Sequence, residues 1–197
     1  MEWISALLPV TVIVAVGLFI LKEILEWVRR WRADGRKVKA FKTLLARECE
    51  LNNWAHKRIK DAIANIQENF ENNASYNYSI KKRDSGEIIF EERNEDLSLS
   101  SSWPLPSVHT EIMSKLMLDV ATLDSGLFGA LETAYDASIN LNHIRQSLTI
   151  FIEDEDFHLE TFVDYALREL PDVHAEMEEL YKACTGQALT AENLRIR

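Results

Sequence analysis

ISALLPVTVIVAVGLFIL, residues 4–21, is a run of eighteen residues without a charge. An α-helix rises about 1.5 Å per residue, so this run would span about 27 Å, close to the roughly 30 Å hydrocarbon core of a bilayer. Its start, Met1-Glu2-Trp3, lacks the basic opening of a secretory signal. Its exit, Lys22-Glu23, lacks a small-residue cleavage site. The run reads as a retained transmembrane anchor, continuing with the helix that follows over residues 1–33.

The charge that follows sets an expected orientation. Residues 22–60 hold twelve Lys and Arg against five Asp and Glu, and residues 61–197 hold ten against twenty-six. A basic flank after an apolar run belongs on the cytoplasmic side, with the N-terminus outside. Arg29, Arg30, Arg32, Arg36 and Lys37 would then lie at the membrane surface, facing anionic headgroups of the lipid bilayer. The acidic remainder argues against a nucleic-acid partner, because neutralising phosphate needs clustered cations. Cys49 and Cys184 are too few for a disulfide framework or a zinc cluster, and both sit at apolar helical positions.

Asp34-Gly35 reads as a break, and a cytoplasmic domain is expected over residues 36–197. Phe41, Leu45, Ala55, Ile59, Ile63, Ile66 and Phe70 recur at the three-to-four spacing of one helix face. Residues 74–106 form an insertion. Tyr76, Tyr78 and Ile80, then Ile88 and Phe90 beyond Ser85-Gly86, alternate as a small β-hairpin does, and NEDLSLSSSWPLP reads as loop. Helical patterning returns at Ser107. Asp124-Ser125 looks like a cap, Pro171 like the first turn of a final helix, and Gly186 like its C-terminal stop. The expected class is all-α: a transmembrane helix followed by an antiparallel helical bundle with a β-hairpin and loop insertion.

Polar residues on otherwise apolar stripes are the candidate site. Glu48 and Asn52 fall on the long helix, and Tyr135, Asn142 and Arg145 on a later one. Buried polar groups must find partners, so Glu48 is expected to pair with Arg145, and Asn52 with Asn142 or Tyr135. Glu155-x-x-His158 has the spacing of a di-iron helix, but a second copy is missing, so neither a metal nor another cofactor is expected. RELPDVH, residues 168–174, places Arg168 and His174 as candidate catalytic residues. Their spacing resembles the Arg-x(4–6)-His signature of HEPN-type ribonucleases. That resemblance implies phosphate contact by Arg168 and acid–base work by His174 across a dimer interface.

One anchor, a basic run, LLARECELN (residues 44–52) and LETAYDASINLNHI (residues 131–144) together resemble uncharacterised single-anchor helical proteins of the bacterial inner membrane. They loosely resemble the HEPN-like membrane accessory proteins of RNA-targeting CRISPR systems. The resemblance implies an inner-membrane location, a homo-oligomer, and a pore-forming or membrane-perturbing role in anti-phage defence. Two alternatives stand beside it: a ribonuclease using Arg168 and His174, and a membrane tether or sensor that recruits a protein partner through residues 74–106.

Overall fold

The structure is a computed structural model and describes residues 10–72, 76–94, 96, 98–154 and 158–190. Its elements are α1 (Val10–Glu71), β1 (Asn77–Lys82), β2 (Ile88–Arg93), β3 (Leu99–Leu105), α2 (Glu111–Leu123), α3 (Ser125–Glu153) and α4 (Leu159–Thr185). The chain forms two compact units, Met1–Ala40 and Phe41–Arg197.

In the first unit the expectation of a transmembrane anchor is corrected. Among the described residues no helix is long and apolar enough to cross a membrane. The described part of the uncharged run, residues 10–21, covers about 18 Å of helix before Lys22, short of the roughly 30 Å required. Residues 4–9 lie outside the described residues. The single-pass inner-membrane location, built on that anchor, is corrected with it. Asp34-Gly35 does not break the helix either. Gly35 is exposed with open space around it, and an exposed glycine costs a helix only about 1 kcal/mol.

In the second unit the all-α expectation also gives way. The fold is mostly helical, but it carries a three-stranded antiparallel sheet in the order β1-β2-β3. The β1–β2 turn uses Gly86 at φ 83°, a left-handed conformation that glycine adopts without strain. The third strand, LSSSWPL, was hidden by its serines and proline. Its Trp103 pairs with Phe90 and its Pro104 with Ile89. As an outer strand it can carry a proline, because one side of its backbone needs no donor. Tyr78, diagonal to Phe90 on β1, and Trp103, opposite it on β3, flank Phe90 at ring-centroid distances of 5.6 and 5.0 Å, an aromatic cluster that anchors the sheet.

The core joins one stripe from each long helix: Leu45, Ile59, Ile63 and Ile66 of α1, Leu131, Leu141, Ile144 and Leu148 of α3, and Val163, Leu170, Val173 and Met177 of α4. Phe90 and Leu105 add the sheet, and Met113 and Val120 add α2. Asp124 caps α3 by accepting the Leu127 N–H at 3.0 Å. Pro171 lies inside α4 and does not open a new helix. It leaves the Leu167 carbonyl without its usual donor, yet apolar contacts on both sides of it hold α4 continuous.

Candidate functional site

Glu48 and Asn52 lie one turn apart on α1, at 1% and 0% exposure. The Glu48 carboxylate accepts the Ile112 N–H at 2.9 Å and the Met113 N–H at 2.7 Å. These are donors of the first turn of α2, which has no partners inside its own helix for them. Thr110, the residue before α2, makes no side-chain capping bond. A carboxylate from another helix therefore caps α2 and faces the positive end of its dipole.

Asn52 grips the backbone just upstream. Its Oδ1 accepts the His109 N–H at 2.7 Å, and its Nδ2 donates to the His109 carbonyl at 2.6 Å. The same Nδ2 donates to Ser138 Oγ at 3.1 Å, and Ser138 in turn donates to the Ala134 carbonyl at 2.8 Å. Further along α3, Arg145 donates through Nε and Nη2 to the Leu105 carbonyl, both at 3.3 Å. Burial lowers the Arg145 pKa from its ordinary value. Glu48, Asn52 and Arg145 thus hold the connection from β3 into α2 at three points.

The expected partners differ. Glu48 engages α2 rather than Arg145, and Asn52 engages His109 and Ser138. Tyr135 packs half-buried against the core, and Asn142 is half-buried on α3. Asn52→Ala would leave the His109 N–H and carbonyl without the amide, and a loss of about 2 kcal/mol is expected. Urea unfolding followed by circular dichroism measures it, and a change below about 0.5 kcal/mol would show that the clamp adds little.

Arg168 and His174 share α4 but not a face of it. Six residues turn a helix through about 240°, which leaves the two side chains about 120° apart and about 9 Å apart along the axis. Arg168 is exposed, whereas His174 is half-buried with its ring 5.4 Å from that of His56. His56 Nε2 donates to the Leu170 carbonyl at 2.8 Å, a carbonyl that can only accept, so Nε2 carries the proton. Burial holds His56 well below its ordinary pKa, at about 4. Within one chain the structure does not bring Arg168 and His174 together.

Other candidates resolve quickly. Among the described residues no group of three or more His, Cys, Asp or Glu is placed to hold a metal ion, and Glu155 lies outside them. Cys49 and Cys184 are free thiols, and burial pushes both up, Cys184 to about 11, away from thiolate chemistry. A second buried network was missed in the sequence. Glu92, 4% exposed, accepts Asn69 Nδ2 at 2.8 Å and the Ser101 hydroxyl, and the same amide donates to Tyr78 Oη at 3.0 Å. Tyr78, Glu92 and Ser101 form one cross-strand row, and that row shows only once β3 is placed. The network ties α1 to the sheet.

A surface feature is larger than any of these. Val12, Ile13, Val14, Val16, Leu18, Phe19, Ile20, Leu21, Ile24, Leu25, Trp27 and Trp31 of α1 are 39–69% exposed. Arg29, Arg30, Arg32, Arg36 and Lys37 follow on the same helix, also exposed. No family model, curated protein or solved structure matches the chain.

Proposed function

We propose that this protein is a self-assembling helical scaffold whose copies associate through α1 between Val12 and Trp31. The observation that carries the reading is the exposed apolar surface of that segment. Twelve large side chains, about half exposed, present on the order of 1,000 Å². A single folded chain ordinarily leaves patches of only about 300–600 Å², and a stable interface covers about 800 Å² on each partner. The occupant is a second copy, because the surface is large enough to build a stable interface by itself. Assembly would gather several copies of the 41–197 unit, and with them every weak binding surface that unit carries, into one particle.

Light scattering of the whole chain in plain buffer tests this. A mass of several chains is expected, falling to that of one chain in the variant Leu21→Asp, Ile24→Asp. Each buried apolar side chain contributes about 1.5–3 kcal/mol, so the pair of charges should weaken association about a hundredfold or more. Both positions lie in the first unit, so the core of the second is left intact. A single-chain mass at all concentrations would overturn the reading, as would assembly unchanged by the two aspartates.

A further inference from the structure

We infer that the assembled copies of α1 run parallel and in register, as a bundle of three or more chains; this rests on the self-association just proposed. At about 100° per residue, Val14, Leu21 and Val28 fall in one row and Gly17, Ile24 and Trp31 in the next. These are the two seam rows of a heptad pattern. The row on one flank holds Leu18, Leu25 and Arg32, and the row on the other holds Ile13, Ile20 and Trp27. From Lys22 onward the charges Lys22, Glu23, Glu26, Arg29 and Arg30 all occupy the opposite side. Lys22 and Arg30 pair there with Glu26 at 3.8 and 3.7 Å.

The apolar arc of this amphipathic stretch is about 160° wide. A two-stranded seam uses only its two central rows and would leave both apolar flanks exposed. Each copy therefore needs a neighbour on both sides of its seam, which two chains do not provide and three or more do.

The two ends of the segment decide the direction. Its beginning is apolar all round from Val12 to Leu21, and its end carries Arg29, Arg32 and Arg36. An antiparallel overlap would lay the guanidinium of Arg32, whose row flanks the seam, against the apolar beginning of a neighbour. That removes charge from water with nothing to pair it. A parallel, in-register overlap sets like against like. One flank then meets the other flank of the next copy, five residues further on: Ile20 beside Leu25, and Trp27 beside Arg32. The second contact lays a guanidinium on an indole face, a favourable pairing. Parallel packing also gathers the basic ends, but Arg29 and Arg30 point away from the seam, where water and salt screen them.

Single cysteines at the two ends of the seam read the direction directly. Val14→Cys and Val28→Cys are each placed in the whole chain with Cys184→Ala, the buried Cys49 being kept. Each is oxidised in buffer. Oxidation joins two thiols in one disulfide, and the two hydrogens and two electrons pass to the added oxidant. A parallel bundle doubles the apparent mass of each variant alone on a non-reducing gel. Linking only when the two variants are mixed would overturn the parallel arrangement. Sedimentation of the parent chain should give at least three chains, and a particle of two would overturn the copy number. Particles that form only on phospholipid vesicles, and not in buffer, would assign the surface to lipid and overturn the inference. A monomeric parent would instead remove the self-association on which it rests, so the two failures are told apart.

Discussion

Replacing Glu48 by alanine is expected to lower the stability of the 41–197 unit by about 3 kcal/mol. The side chain is 1% exposed and is the only side chain seen to accept the Ile112 and Met113 amides among the described residues. Its removal leaves two donors in the first turn of α2 without their acceptor, Met113's buried and Ile112's partly so, at a cost of up to about 1–3 kcal/mol each, and withdraws a negative charge from the helix dipole. Against this stands the relief of no longer burying a carboxylate, which keeps the net below the sum of the parts. Glu48→Gln separates the contributions. It keeps one good acceptor and loses the charge, so about half the effect is expected. Urea unfolding at pH 7 measures both variants, and equal losses for alanine and glutamine would show that charge rather than hydrogen bonding holds α2. A loss below about 1 kcal/mol for alanine would mean that water replaces the carboxylate as the cap.

Glu48 also shows how far the sequence carries. Its place on an apolar stripe, with Asn52 one turn on, marks both as buried polar groups in need of partners. The partners themselves are backbone groups of His109, Ile112 and Met113, between 57 and 65 residues away in the chain. A backbone amide leaves no mark in residue identity, so reasoning from side-chain types directed Glu48 to Arg145 instead. The helix stripes of α1, α3 and α4 were legible because the three-to-four spacing records burial directly. Gly35 and Pro171 were misleading for the opposite reason. Each is a local signal of about 1–3 kcal/mol, and apolar contacts along α4, such as Ala166, Leu170, Val173 and Met177, outweigh the one at Pro171. The strand β3 was unreadable because three consecutive serines, Ser100, Ser101 and Ser102, show no hydropathy contrast. Arg168 and His174 match a sequence signature that records spacing alone, and within one chain a spacing of six places the pair on different faces of the helix.

His56 gives the fold a dependence on pH. Burial is the main cause of its depressed pKa, about 4 against an ordinary 6.5. The Leu170 carbonyl pulls the value up, His174 and Lys60 push it down, and Asp61 pulls it up. The folded pKa lies below the unfolded one, so the unfolded chain binds the extra proton between about pH 6.5 and pH 4. The stabilisation from keeping His56 neutral is therefore complete above about pH 6.5 and is lost as pH falls towards 4. A shift of this size is worth about 3 kcal/mol, of which about 2.5 should be gone at pH 4.5. His56→Gln keeps an N–H donor for Leu170 and cannot titrate in this range. The urea midpoint of the native chain should fall faster than that of the variant between pH 7 and pH 4.5, and the two should run parallel above pH 7. His174 is present in both proteins, so taking the difference removes its own contribution, although its coupling to His56 is lost with the ring. Equal slopes would mean that His56 takes up its proton in the folded state. The bond to Leu170 would survive that proton, since Nε2 already carries the hydrogen that the carbonyl accepts. The Nδ1 side and the neighbouring His174 ring would then have to accommodate the charge.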